Sequence, residues 1–160
     1  MSDLQKLLLR LADAGVEFVL VGGYAAMLHG SSMLTRDLDV CIALTPATIE
    51  RLRMVFGDAH PWHRMTAPRI SFLDEPRDGV ALNNLYLSTD LGTLDLLGSI
   101  TGVGDYARVA RDAVDVELFG RRLRAISLDD LIRAKEALGR DKDLITAKEL
   151  RAIREKLRGG

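Results

Sequence analysis

The stretch Phe18–Leu44, FVLVGGYAAMLHGSSMLTRDLDVCIAL, runs an apolar segment into two glycines and, with thirteen residues intervening after Gly23, sets Asp37 and Asp39 on either side of one leucine. EFVLVG (17–22) has the length and β-branched content of a buried strand ended by glycine. GYAAMLHG predicts a short helix stopped at Gly30, and DLDVCIAL a second strand. Side chains alternate along a strand, so Asp37 and Asp39 share one face roughly 6–7 Å apart while Leu38, Val40 and Ile42 face the core. Neighbouring carboxylates repel, and each loses hydration where the strand is partly buried. A divalent cation removes both problems, and magnesium takes one or two carboxylates together with substrate phosphates. Asp-x-Asp is also ordinary on an exposed strand. What separates the two readings is VGG just upstream, whose glycines let the backbone approach a phosphate and whose N–H groups open a helix.

The surroundings are those of a globular chain. The 160 residues suit one domain (1–160), with a core over about 1–126 and a helical segment over about 127–158. Apolar residues make up 48% and charged residues 28%, enough for a real core. A formal net charge of -1 gives no push toward nucleic acid or a membrane, and no DNA readout is expected. The single cysteine, Cys41, precludes an internal disulfide and suits a reducing, cytoplasmic setting. Asp3, Lys6 and Arg10 interrupt the apolar N-terminal pattern, unlike a signal peptide. The longest uncharged apolar stretch, Phe18–Leu28, is too short to cross a bilayer.

Leu4, Leu7, Leu8 and Leu11 recur at helical spacing, with Gly15 as a candidate cap. PATIERLRMVFG predicts a helix with proline in its first turn. The region from Asp58 to Asn84 holds three of the four prolines and predicts loops with one short strand near RISFL. NLYLST and TLDLLG read as two strands joined by a tight turn. VDVELFGRRLRAIS reads as a hairpin around Gly120. SLDDLIRAKEALG carries Ser127 with Asp130 three residues on, a variant capping box, and ends at Gly139. DKDLITAKELRAIREKLR is a final amphipathic helix with Asp141 as candidate cap. The expected class is α+β: a small mixed sheet with flanking helices.

An apolar residue, Gly-Gly, a thirteen-residue interval and Asp-x-Asp with apolar flanks resemble the signature of the nucleotidyltransferase superfamily, which has the DNA polymerase β fold. GG…TRDLDV most resembles its small AbiEii-like branch, whose members include toxins of toxin–antitoxin systems, and LIRAKEALGRDKDLITAKEL resembles a C-terminal segment of the same branch. The resemblance implies an NTP substrate, Mg²⁺ or Mn²⁺ at Asp37, Asp39 and a third carboxylate, and phosphate contacts from Gly22 and Gly23. Asp95, inside the apolar TLDLLG, is the best match for the third; Asp74, Asp78 and Asp90 sit in turn-like settings. Lys135 and Lys142 resemble the family's basic positions, with Arg140 between them; Ser31 and Ser32 are further phosphate candidates or plain turn residues. The acceptor is left open among tRNA, a protein hydroxyl and a small molecule, and an antitoxin protein is an expected partner if the chain is a toxin. One departure stands out: relatives commonly carry arginine four residues before the first Asp, where this chain has Met33. That departure keeps a second reading open, a nucleotide-binding module on the same fold without turnover.

Other signals are weaker. His60 and His63 in HPWH are not joined to Cys41 or His29 by any zinc-like spacing. The basic residues of the last helix suit a solvated face as well as an RNA contact.

Overall fold

Helix α1 (Asp3–Ala12) begins with a full capping box: Gln5 N donates to Ser2 Oγ and Ser2 N to Gln5 Oε1, both at 3.2 Å. From it Leu7, Leu8 and Leu11 enter the core. The structure, a computed structural model, describes residues 1–77 and 80–159, and Asp78 lies outside the described residues. After α1 come β1 (Val19–Val21), α2 (Gly22–Leu28), β2 (Leu38–Cys41) and α3 (Pro46–Phe56), whose N-cap Thr45 accepts from Thr48 N. A 3-10 turn (Gly57–Ala59) leads to β3 (Trp62–His63), β4 (Ile70–Ser71), β5 (Asn84–Thr89) and β6 (Gly92–Leu97). The chain then forms β7 (Ser99–Ile100), β8 (Gly104–Asp105), α4 (Tyr106–Arg111), β9 (Val114–Leu118), β10 (Arg121–Ala125), α5 (Leu128–Leu138) and α6 (Asp141–Gly159).

Among the described residues, eight strands form one mixed sheet in the order β4-β3-β5-β6-β2-β1-β10-β9, and β7 pairs with β8 apart from it. The pairs β2/β6 and β1/β10 are parallel; the other pairs in the sheet are antiparallel. The sheet is wider than the sequence suggested because the proline-rich middle adds β3, which lies between β5 and the edge strand β4, to the one short strand expected there. Asp141 is the first residue of α6 rather than its cap, and Leu144 N reaches back to Arg140 O.

Alternation along β1 and β2 feeds two cores. Leu20, Leu38, Val40 and Ile42 pack with Leu7, Leu8 and Leu11 of α1 and Leu52 and Phe56 of α3. Val19, Val21 and Cys41 pack from the other face with Ala25 and Ala26 of α2, Leu131 and Ile132 of α5 and Leu150 of α6. Asp39 lies on this second face, beside buried apolar residues. Among the described residues, no helix is long and apolar enough to cross a membrane.

The second layer is held by a buried charge. Asp130 is buried, and its carboxylate accepts two bonds from Arg108 and one from Arg133, each 2.9 Å, which ties α4 to α5. The Ser127 cap is therefore one-sided: Ser127 Oγ accepts from Asp130 N, but the acidic side chain turns to the arginines instead of back to the cap. Arg108→Ala leaves this carboxylate with Arg133 alone. The expected outcome is a clear loss of stability, because the buried Asp130 carboxylate loses one of its two arginine partners. Urea unfolding at pH 7 measures it.

Candidate active site

Strand register lines up five side chains across the sheet. Val21 on β1 pairs with Asp39 on β2, Asp39 with Asp95 on β6, and Asp95 with Tyr86 on β5. Arg64, the residue after β3, continues the row: its N–H donates to Tyr86 O at 3.0 Å. Adjacent strands lie about 4.8 Å apart, so side chains at matched positions are neighbours on one face. Here the row forms the floor of a cleft of about 440 Å³. One wall comes from the last two helices, with Leu131, Ala134, Lys135 and Leu138 on α5 and Arg140 ahead of α6.

Asp39 is the centre of this floor. Among the described residues its carboxylate has no hydrogen-bonding or ion-pairing partner. Burial pushes its pKa up to about 6, with the Asp95 and then the Asp37 charge adding to the effect and Lys135 and Arg64 opposing it. Gly22 makes room for it. At φ +65° Gly22 sits in the left-handed region, and a Cβ there would fall 2.2 Å from Asp39 Oδ2. Gly23 has a different reason to be glycine: an added Cβ would lie 3.0 Å from Thr35 Cβ. Thr35 Oγ1 in turn accepts from Asp37 N at 3.2 Å and so braces the backbone that carries the first aspartate. Asp37 itself is exposed, just ahead of β2, and its carboxylate too has no partner among the described residues.

The positive groups are shared out unevenly. Asp95 is gripped at both oxygens by Arg64, with Nη2 to Oδ2 at 2.8 Å and Nη1 to Oδ1 as the second contact. Asp143 is buried and pairs with both cleft cations of the helical wall. Its Oδ1 lies 3.6 Å from Lys135 Nζ, and its Oδ2 accepts from Arg140 Nε at 2.5 Å. Burial works against the Asp143 charge, but the Arg140 hydrogen bond and the Lys135 and Arg140 charges outweigh it and hold its pKa below the ordinary value.

Of the residues singled out from sequence, Gly22, Asp39, Asp95 and Lys135 line the cleft; Gly23 and Asp37 adjoin it. Three do not fit their expected places. Lys142 is exposed and off the cleft, because the turn at Gly139 (φ +68°) puts Arg140 there instead. Ser31 and Ser32 are taken up by Glu149 of α6: Ser31 Oγ donates at 2.5 Å and Ser32 Oγ at 2.6 Å, and those bonds hold the Glu149 carboxyl below its usual range. They dock the loop onto α6 and are not cleft residues. Arg64, Tyr86 and Asn84 were missed; nothing in the local sequence marks them, since they reach the cleft through sheet register. His60 pairs with Asp90 at 2.6 Å and His63 contacts Glu75 O at 2.8 Å, so the two histidines do not converge.

The donor set fits a divalent cation bound together with phosphate. Among the described residues no three acidic, imidazole or thiol side chains converge into a complete cage. Magnesium does not need one: it keeps waters and takes one or two carboxylates plus substrate oxygens. A half-buried aspartate that feels the Asp95 and Asp37 charges and has no protein partner among the described residues is chemistry suited to such an ion.

No family model and no curated protein matches the chain. Among solved structures, a Thermotoga maritima protein assigned to the nucleotidyltransferases aligns over 98% of this chain and 91% of its own, with a TM-score of 0.56 at 17% identity. The chain has the nucleotidyltransferase fold. ANT(2″)-Ia, solved in complex with adenylyl-2″-tobramycin, aligns over 92% of this chain and 97% of its own, with a TM-score of 0.49 at 13% identity. In this nucleotidyltransferase fold the cleft sits where the carboxylate row meets the C-terminal helices.

The raised Asp39 pKa has a stability consequence. A folded-state value above the unfolded one means the folded protein binds the extra proton. The benefit is full below the unfolded pKa near 4 and is lost as pH rises through about 6. In metal-free buffer, Asp39→Asn should therefore raise stability at pH 7.5 by roughly 1–3 kcal/mol and leave little difference at pH 4. Thermal unfolding at the two pH values reads this out, and a stability loss at pH 7.5 would contradict the assignment.

Proposed function

We propose that the chain is a magnesium- or manganese-dependent nucleotidyltransferase of the AbiEii-like branch that moves a nucleoside monophosphate from an NTP to a hydroxyl acceptor. The observation that carries this reading is Asp39: a half-buried carboxylate with no protein partner among the described residues, flanked by Asp37 and Asp95, on the floor of a cleft whose wall holds Lys135 and Arg140. Asp37 and Asp39 hold the cation, with Asp95 as the third carboxylate. A bound divalent ion supplies charge neutralisation and Lewis-acid activation at the α-phosphate. Lys135 and Arg140, fixed by Asp143, grip the triphosphate and steady the charge that builds on the leaving pyrophosphate. The Gly22–Gly23 turn lets the phosphates approach the backbone. The acceptor oxygen forms the new bond to the α-phosphorus as the α–β bridging bond breaks. The hydroxyl proton passes to a carboxylate of the row, for which Asp95 is the candidate.

The apolar wall of Leu97, Ile100, Ile126 and Leu131 leaves space beside the charged floor for an organic group. RNA (tRNA among the candidates), a protein hydroxyl and a small-molecule hydroxyl are the acceptor classes. A toxin role with a neutralising antitoxin protein is part of the same proposal, and its sign is growth arrest on expression that Asp39→Asn abolishes.

A second reading has its own observation. Arg64 already pairs with Asp95 and competes with a cation for that carboxylate, which favours a nucleotide-binding module without turnover. Incubation with Mg²⁺ and labelled NTPs across RNA, protein and small-molecule acceptors separates the two. The enzyme releases pyrophosphate, with a loss of at least about a hundredfold in Asp39→Asn, in line with the size of electrostatic contributions to catalysis. The module binds nucleotide and releases none. Lys135→Ala should weaken NTP binding about tenfold or more while sparing the affinity for Mg²⁺ alone, because a charge-assisted phosphate contact is lost and no cation ligand is touched. Isothermal titration with a nonhydrolysable NTP checks this, and equal loss of both affinities would rule Lys135 out as a phosphate ligand.

A further inference from the structure

We infer that Arg64 is a triphosphate-binding residue of this cleft and that, without ligand, its guanidinium holds the place beside Asp95 that a divalent cation takes when nucleotide binds. The inference rests on the nucleotidyl-transfer reading of the cleft and adds to it a partner exchange that couples cation and nucleotide binding.

Four observations support it. First, Arg64 and Asp95 both line the cleft, with side chains 29% and 15% exposed, so the pair is open to a ligand rather than sealed in the core. Second, the backbone of Arg64 is fixed while its side chain is long. The N–H bond to Tyr86 O anchors the residue, and the guanidinium lies 5.3 Å from the centroid of the Tyr86 ring, across which it reaches Asp95. A guanidinium on an aromatic face can shift its hydrogen bonds without leaving its support. Third, the other two cations of the cleft are committed: Lys135 and Arg140 both answer to the buried Asp143, which belongs to the helical wall. Among the described residues, Arg64 is the one cleft cation whose sole acidic partner is a floor carboxylate. Fourth, the charges favour exchange. Asp39 and Asp95 together carry two negative charges against the single positive charge of Arg64. A divalent cation at the carboxylates satisfies both and repels the guanidinium, and a triphosphate arriving with that cation offers it paired oxygens of the same geometry as a carboxylate.

The consequence is a coupling. A cation alone must displace Arg64 with nothing to receive it, and a triphosphate alone must draw Arg64 away and leave Asp95 bare. When both arrive, the displaced group is the group the phosphate needs, so each ligand raises the affinity for the other.

The test measures Mn²⁺ binding by electron paramagnetic resonance and binding of a nonhydrolysable nucleoside triphosphate by calorimetry, each alone and together. The proteins are the wild type, Arg64→Ala and Asp39→Asn. In Arg64→Ala, Mn²⁺ alone should bind about fivefold or more tighter, because its competitor is gone. The triphosphate with Mn²⁺ should bind about tenfold weaker, and the mutual enhancement should shrink by a factor within the usual 5–150-fold range of such couplings. Because Arg64→Ala leaves Asp95 unpaired, a second comparison covers a folding defect: Arg64→Gln in an Asp95→Asn background should still lose triphosphate affinity relative to Asp95→Asn alone. Mn²⁺ binding that depends on Asp39 but responds to neither Arg64 variant, with triphosphate affinity unchanged, overturns the Arg64 inference and leaves the reading of the cleft standing. Mn²⁺ binding that is absent, or indifferent to Asp39→Asn, overturns the reading of the cleft and this inference with it.

Discussion

The structure turns on the crowding of negative charge at one point of the sheet. Asp39 and Asp95 sit at matched positions on two adjacent parallel strands, with Asp37 two residues ahead of Asp39. Apolar neighbours on the same face, Val21 and Cys41, keep solvent away. Burial and like charge both act against the ionised form of Asp39. A fold does not keep such a cost without something in return, and strain of this kind gathers at functional sites.

Much of the surrounding architecture can be understood as the means of keeping that charge in place. Gly22 adopts a left-handed backbone so that the Asp39 carboxyl has somewhere to lie. Thr35 packs against Gly23 and bonds the Asp37 amide, so the loop before β2 is shaped by the same two glycines that open α2. On the far side, Asp143 gathers Lys135 and Arg140 at the turn between α5 and α6 and brings positive charge to the wall facing the aspartates. The Ser31 and Ser32 contacts with Glu149 lash the same loop to α6. The sheet and the C-terminal helices are thus joined around the cleft by polar contacts, while their apolar cores meet behind it.

The cleft also shows a division of labour among its cations. Lys135 and Arg140 have a buried acidic partner and so a fixed position, suited to a charge that must be present whenever substrate arrives. Arg64 has a half-buried partner that opens onto the cleft and a fixed backbone, suited to a group that changes partners. Two further arginines, Arg108 and Arg133, pair with the buried Asp130, Arg108 also reaching Asp112, and contribute to holding α4 and α5 together rather than to the cleft.

Local pattern carried the reading a long way. Helices α1, α3, α5 and α6 and strands β5, β6, β9 and β10 follow from apolar spacing, prolines and glycine stops, because short-range sterics and capping set them. The expectation that Asp37 and Asp39 share one strand face came from the two-residue period of a strand, but Asp37 lies just ahead of β2; the oddity of Asp95 in an apolar run marked it in advance. Register and the long-range pairing of charges are different, since they depend on which strands become neighbours. No local signal says that Arg64 comes to lie across Tyr86 from Asp95, or that Glu149 takes Ser31 and Ser32 away from a phosphate role. Nor does spacing show that a left-handed turn at Gly139 presents Arg140 to the cleft and leaves Lys142 in solvent. Those placements come from the packing of the whole sheet against its helices, which fixes distances between residues far apart in the chain.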